Sequence, residues 1–311
     1  MRALSFSALV ILLGFASCGK HIATGISIDP ALGKFVAADT LVLTGMDLER
    51  IRATPFYERH QKQLDIPLLN SLSEQSGFDV RRDLATLLVT WNGKDMVIGA
   101  RGRFAKDKTA RQLAANTTRA EYKKYTLFEY RGEAVTFADP AVAIAGNIHS
   151  VENAIDVEQS RNGRVPDELS ASLAKLSKAD QIWLVSRGGL PFADTPASSE
   201  RASILSNFAG YVKATSVGIQ FNGGLHFRAE MDCISSAGAK RVDDGMRGGI
   251  GFARLAVKNN ELDLLPLYNA IHVKQNEQTV YVDADLSPEL ADKLLNRFVR
   301  FDFSSEGRSL R

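Results

Sequence analysis

A chain of 311 residues, 45% hydrophobic and 24% charged, has the balance of a folded globular protein and the length for one large domain or two ordinary ones. That composition excludes a disordered chain and a protein built from many membrane spans. The formal net charge is +2, and one of the cations, Arg2, lies in a segment expected to be removed, so no basic excess remains for a nucleic-acid partner.

The first element in chain order is an uncharged run, Ala3 to Ser17, behind the positive start Met1-Arg2. A spanning helix needs about 20 apolar residues and a secretion-signal core about 7–15, so length favours a signal. The run ends in Phe15-Ala16-Ser17-Cys18. Small residues suit the extended approach of a peptidase, and the thiol that follows is a point for diacylglycerol attachment. These residues resemble the lipobox of bacterial lipoproteins, over the first 20 residues of the chain. The resemblance implies a signal peptide at 1–17, lipidation at Cys18 and a partner in the membrane itself. Phe15 stands where the family usually has Leu, and cleavage after Ala16 is the alternative. Gly19 after the cysteine, rather than Asp, implies outer-membrane delivery if the bacterium has two membranes. Two or three acyl chains anchor stably where one does not.

Residues 18–38 carry Gly, Pro, Ser and Ala with weak periodicity and are expected to be a lipidated tether. Beyond them the pattern repeats. "LLVTWNGKDMVIGARGRF" (87–104) and "VGIQFNGGLHFRAEMDCI" (217–234) each show an alternating strand, an Asn-Gly turn and a second alternating strand. The offset is 130 up to the turn and 129 after it. An opening strand precedes each hairpin, "AADTLVL" at 37–43 and "KADQIWL" at 178–184, followed by helices expected near 56–74 and 197–210. Each half closes on another hairpin and a helix: "TLFEYRGEAVTF", an extra strand near 141–145 and a helix from about 150 in the first, and "AIHVKQNEQTVYVDADLSPELADKLLNRF" in the second. Ser287-Pro288 reads as an N-cap with proline at the first helical position.

The expected fold is therefore α+β, with two similar β-α-β-β-α-β-β-α units at 39–160 and 179–303. A linker at 161–178 joins them, and a disordered tail follows at 304–311. The sheets are expected to be mainly antiparallel with helices on one face. This pattern resembles uncharacterised duplicated α+β lipoproteins of the bacterial envelope.

The body carries few signs of chemistry. In "GMRGGIG" (245–251) the glycines follow a helix, and no Lys-Ser/Thr pair closes the run, so close helix packing or a helix end is the expected role rather than phosphate binding. None of His21, His60, His149, His226 and His272 shows metal-ligand spacing, and there is no G-x-S-x-G elbow. His60 is expected on a solvated helix face. Cys233 falls among the inward residues of an alternating strand, as a small buried hydrophobe. Asp243-Asp244 and Asp283 with Asp285 are paired carboxylates, and the second pair, on one strand face alongside Tyr281, is expected to be an exposed face leading into a capped helix. Arg101 and Arg103 share one strand face, Glu230 and Asp232 another, and the two sets are complementary if the halves meet face to face. No cofactor, metal or catalytic residue is assigned. The expectation is a membrane-anchored envelope protein that binds or scaffolds, with a carrier of apolar ligand or a hydrolase with a dispersed site as alternatives.

Overall fold

The computed structural model describes residues 25–61, 78–104, 109, 111, 113–115, 117–188, 208 and 210–295. Among them are twelve strands: β1 (Val42–Asp47), β2 (Leu84–Trp91), β3 (Met96–Gly102), β4 (Thr118–Tyr122), β5 (Tyr125–Tyr130), β6 (Glu133–Asp139), β7 (Val142–Asn147), β8 (Ile182–Arg187), β9 (Val212–Gln220), β10 (Leu225–Cys233), β11 (Ile271–Asn276) and β12 (Thr279–Leu286). They form one sheet of order β11-β12-β10-β9-β8-β1-β2-β3-β7-β6-β5-β4, antiparallel at every ladder. The protein is α+β, as its strand and turn pattern implies.

The two halves meet edge to edge at the β1–β8 ladder, where Gly45 faces Trp183. Outward from that seam the order is β2, β3, β7, β6 on one side and β9, β10, β12, β11 on the other. The first half carries two further strands, β5 and β4, at its edge. The hairpin in the place of β11–β12 is thus β6–β7, and the β5–β6 hairpin expected there lies one strand farther out. This edge-to-edge union also replaces the face-to-face contact considered for the arginines. Arg101 pairs with Asp29 at 3.2 Å, and Glu230 and Asp232 share Lys175.

Turn chemistry shows why the hairpins form. In the two Asn-Gly turns only the glycines, Gly93 and Gly223, have positive φ. Asn92 instead accepts from the backbone N–H groups of Lys94 and Asp95 through its side chain. The turn with two consecutive positive φ values is Arg131-Gly132, between β5 and β6.

Helices cover both faces of the sheet, at different places, rather than one. On one face, α1 (Pro30–Gly33), α5 (Ile148–Gln159) and α6 (Asp167–Lys175) close over Leu43, Leu88, Val142, Ile144, Trp183 and Val185. Helix α5 buries Ser150, Val151, Ala154 and Ile155, one stripe of a 3.6-residue period, and Asn147 caps it by accepting from Ser150 N–H at 2.8 Å. Leu32, Phe35 and Val36 are at most 4% exposed in this core, so residues 25–38 belong to the folded body and not to a tether. Each such apolar side chain contributes roughly 1.5–3 kcal/mol by burial. Residues 161–178, expected as a linker, hold α6, whose Leu169 and Leu173 enter the same core.

On the opposite face, α7 (Ser236–Leu255) packs Ala239 and Val242 against Met231, Cys233, Val280 and Val282. The "GMRGGIG" glycines lie inside this helix rather than after it. Gly245 meets Phe208, where a Cβ would come within 2.1 Å of the ring. Helices α2 (Leu48–Arg52), α3 (Pro55–His60), α4 (Val80–Asp83) and α8 (Leu265–Asn269) are short. Residues 288–295 are helical, and Leu290 N–H meets Ser287 Oγ at 3.4 Å. The start of the expected helix near 56–74 is α3, and its remainder from residue 62, like most of the one near 197–210, lies outside the described residues.

Candidate functional site

Register places an apolar row across the middle of the sheet. Ala145, Ile98, Val89, Thr44, Leu184, Val217 and Ala229 are successive cross-strand partners on β7, β3, β2, β1, β8, β9 and β10. Side chains alternate along a strand, so all seven share one face. Strands 4.7–4.9 Å apart make the row roughly 29 Å long. Neighbouring residues on the other face, Leu43, Leu88, Gly99 and Val185, are buried; in the row Ile98, Val89, Leu184 and Val217 are only half-buried. Val217 and Ala229 of the row belong to the α7 core, and Val89, Ile98 and Ala145 lie next along their strands to Leu87, Ala100 and Ala143 of a second cluster around Leu84, Phe104, Phe128 and Phe137. A half-covered aliphatic strip of this length can seat an apolar chain.

The polar part of the molecule is organised differently. On β10 and β12, His226 faces Asp285 and Arg228 faces Asp283. His226 Nδ1 contacts Asp285 Oδ1, and Arg228 Nε lies 3.6 Å from Asp283 Oδ1. Each carboxylate has its own cross-strand partner, and Arg228 also donates to His226 Nε2 at 3.1 Å, so the two carboxylates are held apart rather than sharing a proton. Asp243 and Asp244 are likewise held separately, by Arg247 and Lys240 one helical turn away. Arg247 also donates to the Val273 carbonyl.

His60 is the residue whose environment differs most from expectation. It is 5% exposed, packs against the Phe56 ring at 4.6 Å, and its Nε2 lies 2.7 Å from Asp292 Oδ1. Burial pushes the Asp292 carboxyl up. The hydrogen bond and charge of His60, with the charge of Arg59, outweigh this and hold it below the usual carboxylate value. His60 Nδ1 is buried with no partner among the described residues, so no described serine or cysteine hydrogen-bonds to it as a triad nucleophile would. A histidine buried by a helix that crosses to the other half leaves no local mark, so sequence periodicity alone does not reveal it.

Two open cavities flank the covered face of the sheet. One, of about 560 Å³, lies between α5, the segment 35–40 and the β2–β3 turn. The other, of about 470 Å³, lies where residues 25–30 cross α2 and β8. Nothing in the sequence marked the first, because its residues come from four separate stretches, 35–40, 90–97, 123 and 150–162. Among the described residues no group of three or more His, Cys, Asp or Glu is placed to hold a metal ion. None of their helices is long and apolar enough to cross a membrane. Cys18 lies outside the described residues. Cys233, the described cysteine, is buried and unbridged.

No protein-family model matches the chain, and no curated protein matches it. Among solved structures the chain is similar to TP0453. In its crystal form III the TM-score is 0.50 at 11% identity, covering 86% of this chain and 98% of that one. In form IV the TM-score is 0.50 at 10% identity, over 86% and 97%. Similarity at this level is one of fold.

Proposed function

We propose that the chain is a bacterial envelope lipoprotein, anchored by acyl groups on Cys18, whose α+β body binds or scaffolds at the membrane surface. The observation that supports this reading is the N-terminal stretch: Arg2, the 15 uncharged residues Ala3–Ser17, and Cys18 directly after Ala16-Ser17. The fold adds a consequence. Ile26 N–H already donates to Leu173 O, and Gly25 lies against Ala174. Seven residues from Cys18 to Gly25 reach at most about 25 Å when extended, so the lipid holds the body close to the bilayer. Gly19 in place of Asp favours delivery to an outer membrane. Labelling with a fatty acid tests the anchor: wild type should incorporate label and Cys18→Ser should not, and equal labelling overturns the proposal.

The same strand order on both sides of the seam, with Trp91-Asn92-Gly93 and Phe221-Asn222-Gly223 at corresponding turns, supports duplication of one unit.

The half-buried row from Ala145 to Val217 favours a second reading, carriage of an apolar ligand. Its test is a fluorescent fatty acid. Binding that Leu184→Glu abolishes supports carriage, and binding that Leu184→Glu leaves intact counts against it.

A further inference from the structure

We propose that the cavity beside α5 is a binding site for a saccharide unit. Its volume, about 560 Å³, falls within the usual range of small-molecule sites, about 300–1,000 Å³. Its apolar part comes from Phe35, Val97, Ala154 and Val157. Its polar part is rich in groups that both donate and accept: the carboxamides of Asn92, Asn153 and Asn162 and the hydroxyls of Thr40 and Ser150. An apolar patch for the C–H face of a ring, with carboxamides and carboxylates for its hydroxyls, is the complement of a sugar.

The hydroxyl of Ser150 makes this more than an open hollow. Ser150 is 1% exposed, lines the cavity, and its Oγ has no hydrogen-bond partner. A buried hydroxyl left unpaired costs about 1–3 kcal/mol. Ser150 occupies a helical position that alanine would fill with better propensity and no such cost. A ligand hydroxyl supplies the missing partner.

Charge selects among ligands. Asp39, Asp95 and Asp156 line the cavity with one cation, Lys123. Lys123 is already paired with Asp156, which also accepts from Tyr122 Oη at 3.0 Å. Asp39 accepts from Asn92 Nδ2 at 3.0 Å, and no ion pair joins a cation to Asp39 or Asp95 among the described residues. Two uncompensated carboxylates repel an anionic ligand and favour hydroxyls or an ammonium group. The Asn92 carboxamide is already bonded within the protein, but a wholly apolar ligand would strand that of Asn162 and leave Ser150 Oγ unpaired.

Calorimetric titration of the protein with glucose, glucosamine, the N-acetylglucosamine disaccharide and glucuronate tests the site. At least one of the first three should bind at millimolar concentration, and glucuronate should bind more weakly than glucose. Ser150→Ala should weaken binding by up to about tenfold, equivalent to ~1.4 kcal/mol, without lowering the melting temperature. Asp95→Asn, a change at the exposed turn, should reduce any preference for glucosamine over glucose. Three results each overturn the proposal: no binding by any of the neutral or amino sugars, glucuronate bound as well as glucose, or affinities unchanged in both variants. The last would mean that Ser150 Oγ makes no contact with the sugar.

Discussion

His60 Nε2 and Asp292 Oδ1 lie 2.7 Å apart although 232 residues separate them in the chain. The contact joins α3, which follows the first strand of the sheet, to the helix that follows the last. Around it Phe56 stacks on Phe221 at 4.9 Å, and Leu267, Leu286 and Ala291 complete the cluster. The first half therefore sends a helix onto the second, while Trp183 and Val185 of the second enter the core built by the first. The boundary expected near 161–178 divides stretches of chain, not separate cores.

Asp292→Ala removes the partner of a buried imidazole whose Nδ1 is already unsatisfied. A loss of about 1–3 kcal/mol is expected, the cost of leaving a buried polar group unpaired. Because the Asp292 carboxyl is held below its ordinary value of 3.8, its contribution is complete above pH 3.8 and is lost as pH falls through the lowered folded value. Urea unfolding at neutral and acid pH checks both points. The difference between wild type and variant should shrink below pH 3.8, and a constant difference would show that the ion pair does not carry the stability.

The β1–β8 seam depends on one missing side chain. A Cβ on Gly45 would lie 2.1 Å from Trp183 Cζ2, in a core where the indole is 7% exposed. Gly45→Ala should destabilise by about 1–3 kcal/mol, the usual penalty for overpacking. Shortening the ring should relieve it, so that Gly45→Ala with Trp183→Phe is more stable than the sum of the single changes implies. Strict additivity in a double-mutant cycle would mean that the two residues do not collide.

How much of this was legible follows the range of the interactions. The hairpins at Asn92-Gly93 and Asn222-Gly223, the inward face of Cys233 and the helix starting near residue 150 rest on alternation, turn residues and caps within a few positions. The seam is different. Nothing near Gly45 shows that a tryptophan 138 positions later will lie over it. α1 has four residues, too few for a helical period to show, so Leu32, Phe35 and Val36 passed as tether. The cavity beside α5 escaped for the same reason: Asp39, Asn92, Lys123 and Ser150 meet only once the sheet has formed.

Cys233 should be unreactive in the folded protein. Burial, helped by the neighbouring Asp232 charge, raises its thiol above the ordinary value, and the thiolate is the nucleophile. In a Cys18→Ser background it is the single thiol. An aromatic disulfide reagent at neutral pH should release its chromophore only after denaturant is added. Rapid reaction without denaturant would mean that α7 lifts readily from β10.

Lys175 at the end of α6 fastens that helix to β10 by donating to Asp232 at 2.6 Å and to Glu230. Burial draws its ammonium down, but the hydrogen bonds to Asp232 and Glu230, with their charges, raise it overall. A raised lysine stabilises fully below its ordinary value of 10.5 and loses that contribution as pH climbs through the folded value. Lys175→Met keeps much of the apolar stem and leaves two carboxylates without their shared cation. With the side chain 35% exposed, solvent screening limits the loss to about 1 kcal/mol. Urea unfolding across alkaline pH should show this difference holding up to pH 10.5 and narrowing above it. A gap that stays constant with pH would place the stabilisation in the stem of Lys175 rather than in its charge.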